Sequence, residues 1–454
     1  MSQPGLSWWG IARLGLVQTA LGAIIVLTTS TMNRIMVVEL ALPAMLPGFL
    51  VALHHMVQMS RPRFGHGSDV GGYRTPWIIG GMLVLAIGGV GASVGVAMMA
   101  ESTSGGVAVA LIAFVLIGLG AGASGTSLLV LLAKQVAPAR KPAAATIVWI
   151  MMIAGFAVTA GVAGSFLDPY TPARLVAVTS VVATVAFVVA LFALIGVEPR
   201  RSQPDLLAPE NNHHASAAGF RAALKQVWAE REARRFTVFV FVSMLAYSAQ
   251  DLILEPFAGT VFGMTPGEST RLSGVQHGGV LLGMILVAVS ATLTGRGGAG
   301  ALRLWTVGGC LASALALLGI ALGGSLAESW PLRTNVFLLG LANGAFAVAA
   351  IASMMTLSGH GTARREGLRM GLWGAAQAIA FGLGGFIGTV AIDVARAFID
   401  TPAHAYALVF TAEAALFVWA AAIGTRVRAA DPADQQRSMP AFGEVAVAQV
   451  LQGR

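Results

Sequence analysis

The feature that bounds every other reading of this chain is a succession of apolar runs, each long enough to cross the roughly 30 Å hydrocarbon layer of a bilayer as an α-helix. Windows of about 19 residues place spans at Leu14–Val38, Leu42–Met59, Pro76–Met99, Val107–Leu132, Ala143–Phe166 and Ala173–Val197. A polar stretch from Glu198 to Arg235 follows, and then spans at Phe236–Phe257, Leu272–Leu293, Leu302–Leu322, Asn335–Leu357, Met370–Val394 and Ala403–Thr425. About twelve spans result by this criterion. Lipid leaves no backbone group unpaired, so runs of this length can only be helices. The expected fold class is an all-α polytopic membrane protein with a six-helix half over 1–197, a linker over 198–235, a second half over 236–425 and a tail over 426–454. Arg13 is followed by an apolar run longer than a signal-peptide core and without a small-residue cleavage site, so the first run reads as a span.

The few charges report topology. Only 11% of residues are charged, yet the net charge is +8. Basic residues accumulate in cytoplasmic loops. Of the 28 Lys and Arg, Arg34 lies inside a span, Arg174, Arg271, Arg333 and Arg396 fall on one side, and the other 23 on the opposite side, which places both termini in the cytoplasm. The basic balance is therefore a matter of orientation and implies no nucleic-acid partner. One cysteine, Cys310, excludes an intrachain disulfide and a multi-thiolate cluster. The eight histidines form no His-x-x-x-His or Glu-x-x-His cluster on a predicted helix, so no dedicated metalloenzyme site is expected. In the linker, Phe220, Leu224, Val227 and Trp228 alternate at helical spacing with Arg221, Lys225, Arg231, Arg234 and Arg235, the pattern of either an interfacial amphipathic helix or a solvated one. Trp8, Trp9, Trp77 and Trp330 stand at span ends, as interfacial anchors do.

The two sets of six spans are repeats. Leu116, Gly118, Leu119, Gly122 and Ala123 are matched by Leu338, Gly340, Leu341, Gly344 and Ala345, and Trp149, Gly161 and Gly164 by Trp373, Gly385 and Gly388. Small residues on one helix face let backbones approach closely. The loop after the second span, Gly65-His-Gly-Ser-Asp69-Val-Gly-Gly72-Tyr-Arg74, resembles the major facilitator signature Gly-x-x-x-Asp-x-x-Gly-x-Arg. The glycines permit a tight turn, while Asp69 can cap a helix and pair with a basic side chain. That resemblance implies two parallel-related halves around a central site. The matching loop of the second half, around Gly295-Arg296-Gly297-Gly298, lacks the aspartate.

Ionisable groups inside a span are functional candidates because each costs roughly 2.5–3.5 kcal/mol to insert. Three groups qualify: Asn33, Arg34 and Glu39 in the first span; Gln250, Asp251 and Glu255 in the seventh; and His54, His55 and His277 in the second and eighth. Arg34 and Glu39 fit a structural ion pair as well as a binding role. Asp251 and Glu255, one turn apart, could carry protons, bind a cation or pair with Arg34. His54 and His55 are adjacent, so at most one can face a shared cavity, and packing roles are open to all three histidines.

These residues also resemble a narrower family. Asn33-Arg34-Ile-Met-Val-Val-Glu39-Leu, the segment ending in His54-His55, Arg61-Pro-Arg-Phe-Gly65-His-Gly-Ser-Asp69, Gln250-Asp251-Leu-Ile-Leu-Glu255-Pro-Phe-Ala-Gly259 and Trp373-Gly-Ala-Ala-Gln377-Ala together are similar to the PucC/LhaA family of photosynthetic bacteria. The resemblance implies a non-enzymatic bacteriochlorophyll carrier and assembly factor for light-harvesting complexes in the photosynthetic inner membrane. Its partners would be lipid, the pigment or a precursor, and antenna polypeptides or bacteriochlorophyll synthase. It implies Asn33, Arg34, Glu39, His54, His55, Gln250, Asp251, Glu255, His277 and Gln377 as candidate pigment contacts, with magnesium ligation by His54, His55 or His277, and no tightly bound catalytic cofactor. The loop from Arg61 to Asp69 looks nearest the branch associated with bacteriochlorophyll synthase, which leaves an accessory synthase subunit as an alternative. The chain has no Asp-rich prenyl-diphosphate motif with which to catalyse that reaction itself. The residues alone also fit a proton-coupled transporter of an amphipathic small molecule, with Asp251 and Glu255 as coupling carboxylates.

Overall fold

The computed structural model describes residues 6–59, 73–137, 140–198, 225, 228–293, 299–326, 329–358 and 366–427. Among them, twelve helices form two bundles: α1 (Trp8–Glu39), α2 (Met45–Gln58), α3 (Thr75–Met99), α4 (Thr103–Gln135), α5 (Lys141–Gly164), α6 (Pro172–Leu194), α7 (Arg231–Phe262), α8 (Pro266–Leu293), α9 (Ala299–Gly323), α10 (Leu332–Ser358), α11 (Glu366–Phe398) and α12 (Pro402–Gly424). The described residues contain no strand. Eleven of these helices are long and apolar enough to span a bilayer; α2 has 14 described residues, about 21 Å of helix. Alternate connections define two ends, here the linker end, where α6 closes and α7 opens, and the distal end.

Helix starts and stops follow local chemistry. Ser7 accepts the Gly10 N–H at 3.2 Å, and Thr171 accepts the Arg174 N–H at 3.1 Å with Pro172 in the first helical position. Thr265 and Glu268 form a reciprocal capping box at α8, their bonds 3.2 and 3.1 Å long. α7 ends at Gly263, whose φ of +66° an L side chain adopts only with strain. α7 begins at Arg231, ahead of the apolar run, because its first turn lies outside the apolar layer, where Arg235 pairs with Glu232 at 3.0 Å.

Each half has its own apolar core, and the outward faces carry large exposed side chains such as Val181, Val185 and Phe192 on α6, as lipid contact requires. Within the halves, glycines set the spacing. Gly118 of α4 lies against the His54 carbonyl of α2, and Gly340 of α10 against the Gln276 carbonyl of α8. Gly118 and Gly340, like His54 and Gln276, are 222 residues apart, so the repeat seen in the sequence makes the same contact twice. The fifth- and eleventh-span matches diverge: Gly164 abuts α8 of the other half, whereas Gly388 abuts α7 of its own.

A side chain at Gly344 would overlap the Val280 carbonyl, a backbone atom that cannot step aside, while Gly308 on the outer face of α9 has nothing within 4 Å. Gly344→Val is expected to destabilise the protein by about 1–3 kcal/mol and Gly308→Val to have no measurable effect. Thermal unfolding of the two variants in detergent checks this; equal midpoints would refute the close packing of α8 on α10.

Candidate functional site

The first helix is irregular where its polar residues lie. Thr28 and Thr29 return their hydroxyls to the Ile25 carbonyl at 2.7 and 3.2 Å, competing with the helical ladder. The helix widens to π geometry at Leu27–Thr31 and again at Ile35–Glu39, on either side of Asn33 and Arg34. Such widenings recur at functional sites.

Along this stretch α1 meets the other half. Ser30 donates its hydroxyl to Glu255, Thr31 and Thr270 share a 3.0 Å hydrogen bond, and Arg34 donates to the Met264 carbonyl at 2.5 Å. The Arg34 guanidinium also pairs with Glu39. Asn33 has a more specific partner. Pro256 in α7 has no N–H, so the carbonyl four residues earlier, that of Leu252, has no helical donor. The Asn33 amide supplies one at 2.6 Å. In lipid a neighbouring helix must satisfy a carbonyl freed by proline, so Asn33 and Pro256 form one unit. Tyr170, in the distal connection, flanks this group; burial first, and then the Glu39 charge, raise its phenol pKa, while Arg34 lowers it.

A second group lies deeper. The Gln276 amide donates to Asp251 at 3.1 Å, so of the two α7 carboxylates only Glu255 joins the α1 cluster. Arg34 takes its ion pair from its own helix, and Asp251 does not bridge to it. His277 donates Nδ1–H to the Ser273 carbonyl at 2.9 Å and stands edge-on to Phe156 of α5, centroids 5.0 Å apart. His55 faces Phe381 of α11 at 6.1 Å, and Tyr247 of α7 lies 5.8 Å from the same ring. His55 and His277 are 222 residues apart and Phe156 and Phe381 225 apart, so the repeat has built two equivalent imidazole–phenyl contacts, each across the boundary between the halves. His55 follows the start of α2 by ten residues and His277 the start of α8 by eleven, which sets both rings about 15 Å below the distal end, near mid-bilayer. His55, Tyr247, Asp251, Gln377 and Phe381 are each partly accessible. Gln377 approaches the Met244 sulfur at 4.0 Å. His54 lies against His55, ring centroids 4.0 Å apart, but is only 1% exposed and also packs on Phe114 inside the first half.

Three further residues escape a sequence reading. Glu413 of α12 is buried with neither carboxylate oxygen hydrogen-bonded. A single carboxylate barely lowers the mean of an apolar window, and its position in the run is the only signal available. Gln250, which the sequence did single out, is likewise buried with its amide unpaired. Asp168 and Asp393 resemble ordinary charges at helix ends, yet both bond across the halves. At the linker end, Gly65, Asp69 and Gly72 lie outside the described residues. Arg74 is described: its backbone N–H and that of Thr75 donate to Glu198 at 2.9 Å, and its guanidinium lies 3.8 Å from the same carboxylate, which caps α3 from the end of α6.

Comparison with known proteins bears on this arrangement. The family model described as PUCC protein matches residues 31–431. A Rhodobacter capsulatus protein named Bacteriochlorophyll synthase 44.5 kDa chain is 52% identical over 94% of this chain and 96% of its own length. Protein PucC of Cereibacter sphaeroides is 29% identical over 89% of this chain and 88% of its own. Among solved structures, a bacterial homologue of the human lysosomal transporter Spinster superposes with a TM-score of 0.67 at 16% identity, covering 93% of this chain and 98% of that one. A structure reported for substrate recognition in proton-dependent oligopeptide transporters superposes at 0.63, covering 92% and 98%. These structural likenesses establish the fold, the two-half major facilitator architecture.

Proposed function

The chain belongs to the PUCC protein family, and from that premise we propose that it carries bacteriochlorophyll, a magnesium tetrapyrrole with a long apolar tail, within the photosynthetic inner membrane and delivers it to antenna complexes or to the enzymes that complete the pigment. The observation that carries this reading is the pair of repeat-related histidines at mid-membrane depth. His277 commits Nδ1–H to a backbone carbonyl, and this leaves the Nε2 lone pair as the ligating atom, the arrangement usual for a metal-bound imidazole. His55 stands at the equivalent place on α2, beside the accessible ring of Phe381. Phenyl rings flank a flat macrocycle well, and side-chain amides such as that of Gln377 are suited to ring carbonyls. His54, buried in the first half, has a packing role.

No step in this reading breaks a covalent bond, so the chain acts as a carrier and not as an enzyme. The 52% identity to a protein named as a bacteriochlorophyll synthase chain supports the pigment synthase as the client that loads it. The basic bias of the linker end assigns that end, with both termini, to the cytoplasm. Purification from phototrophically grown cells in mild detergent, followed by an absorption spectrum, is the test. A bacteriochlorophyll band eluting with the protein at near-equimolar ratio is expected. Absence of the band, together with normal antenna assembly in a deletion strain, would reject the proposal.

A further inference from the structure

At the distal end the halves hold each other by one device used twice. α2 starts after Ala41-Leu42-Pro43-Ala44, a stretch without a side chain that could accept from the first N–H groups. The acceptor comes from the other half: Asp393 of α11 takes the Ala44 N–H on Oδ1 at 2.9 Å and the Met45 N–H on Oδ2 at 2.7 Å. At the other boundary Asp168, just past the end of α5, takes the Gly267 N–H on Oδ1 at 3.0 Å and the Thr265 hydroxyl on Oδ2 at 2.7 Å. Glu268 keeps the Thr265 N–H for its own helix. Asp168 and Asp393 are 225 residues apart, the same separation as Phe156 and Phe381, and α2 and α8 are repeat equivalents. Each half therefore lends a carboxylate to the positive N-terminal end of the second helix of the other.

The geometry points to a pair of reciprocal latches, Asp393 on α2 and Asp168 on α8, that hold the distal end closed and must both release before the halves can part on that side. α1 and α6 show that local caps suffice where a helix start needs only satisfying, Ser7 and Thr171 doing so from their own segments. Caps donated across a domain boundary couple the satisfaction of a helix end to the closure of that boundary. Both aspartates are partly accessible, so water can replace the protein donors when the latch opens, and the bonds can exchange as a switch requires. Closure brings the neighbouring surfaces together: Phe49 meets Phe386 at 6.4 Å, Gly48 faces Thr389, and Gly164 abuts Gly267. The inference holds whatever the cargo is.

Spin labels at Ala173→Cys and Thr334→Cys, exposed distal positions on α6 and α10 outside both latches, report the opening in the full-length protein carrying Cys310→Ala. Pulsed electron double resonance on the otherwise unaltered protein is expected to give one short distance. The Asp168→Ala/Asp393→Ala variant is expected to add a longer one, each lost cap raising the open-to-closed ratio by roughly fivefold. A double variant that elutes as a single species and keeps the original distance distribution overturns the proposal. So does a single variant that gives the full shift of the double. If the double variant does not elute cleanly, the single variants decide: an added longer distance in each supports the latches, and two distributions identical to the original overturn them.

Discussion

Glu39→Gln is expected to destabilise the protein by about 3–5 kcal/mol, while Arg34→Met, which removes the other half of the same ion pair, is expected to cost about 1–2 kcal/mol. The asymmetry comes from burial. Arg34 is 2% exposed and Glu39 32%. Removing the carboxylate leaves a guanidinium sealed between α1 and the second half, its Nε already without an acceptor and the Met264 carbonyl as its remaining hydrogen bond. Removing the arginine leaves a glutamate that water can reach. Chemical denaturation of both single variants and the double variant in detergent gives the two losses and their coupling. The double variant is expected to be more stable than Glu39→Gln alone, because the uncompensated charge is then gone. A loss for Glu39→Gln within about 0.5 kcal/mol, the range of ordinary surface substitutions, would mean that the pair does not hold the α1 cluster.

That cluster shows how far the sequence could be read. Arg34, Glu39 and Glu255 stand out because charge inside an apolar run is costly and therefore rare. Their division of labour does not stand out, since nothing in the residues alone says which partners on the second half the π-widened stretch of α1 will meet. The Asn33–Pro256 unit is half legible: proline announces a freed carbonyl four residues back, but only the docked helices reveal which side chain answers it. The spans and the two halves were readable because hydropathy and the repeat are properties of long segments. The equivalence of His55 and His277 was present in the spacing too, at the 222-residue offset shared by Gly118 and Gly340, and becomes meaningful once both rings face phenyl groups across the boundary. Glu413 and the latch aspartates stayed hidden because nothing about an isolated carboxylate says what, if anything, it will face.

The histidine pair carries the second large effect. If a bacteriochlorophyll is held by its magnesium at mid-depth, replacing either imidazole with a phenyl ring removes a ligating nitrogen while preserving bulk and aromaticity, so the fold is retained and binding is not. Loss of one ligand is expected to lower pigment affinity about tenfold, equivalent to about 1.4 kcal/mol, and loss of both by more than that. Replacing His54, which packs on Phe114 within the first half, serves as the control: His54→Phe is expected to leave pigment content unchanged. The decisive measurement is the bacteriochlorophyll-to-protein ratio after purification of the parent, His54→Phe and His55→Phe/His277→Phe proteins from the same phototrophic host. The account predicts a ratio near one for the parent and for His54→Phe, and a ratio near zero for the double variant. A folded double variant that retains the parental ratio would contradict it.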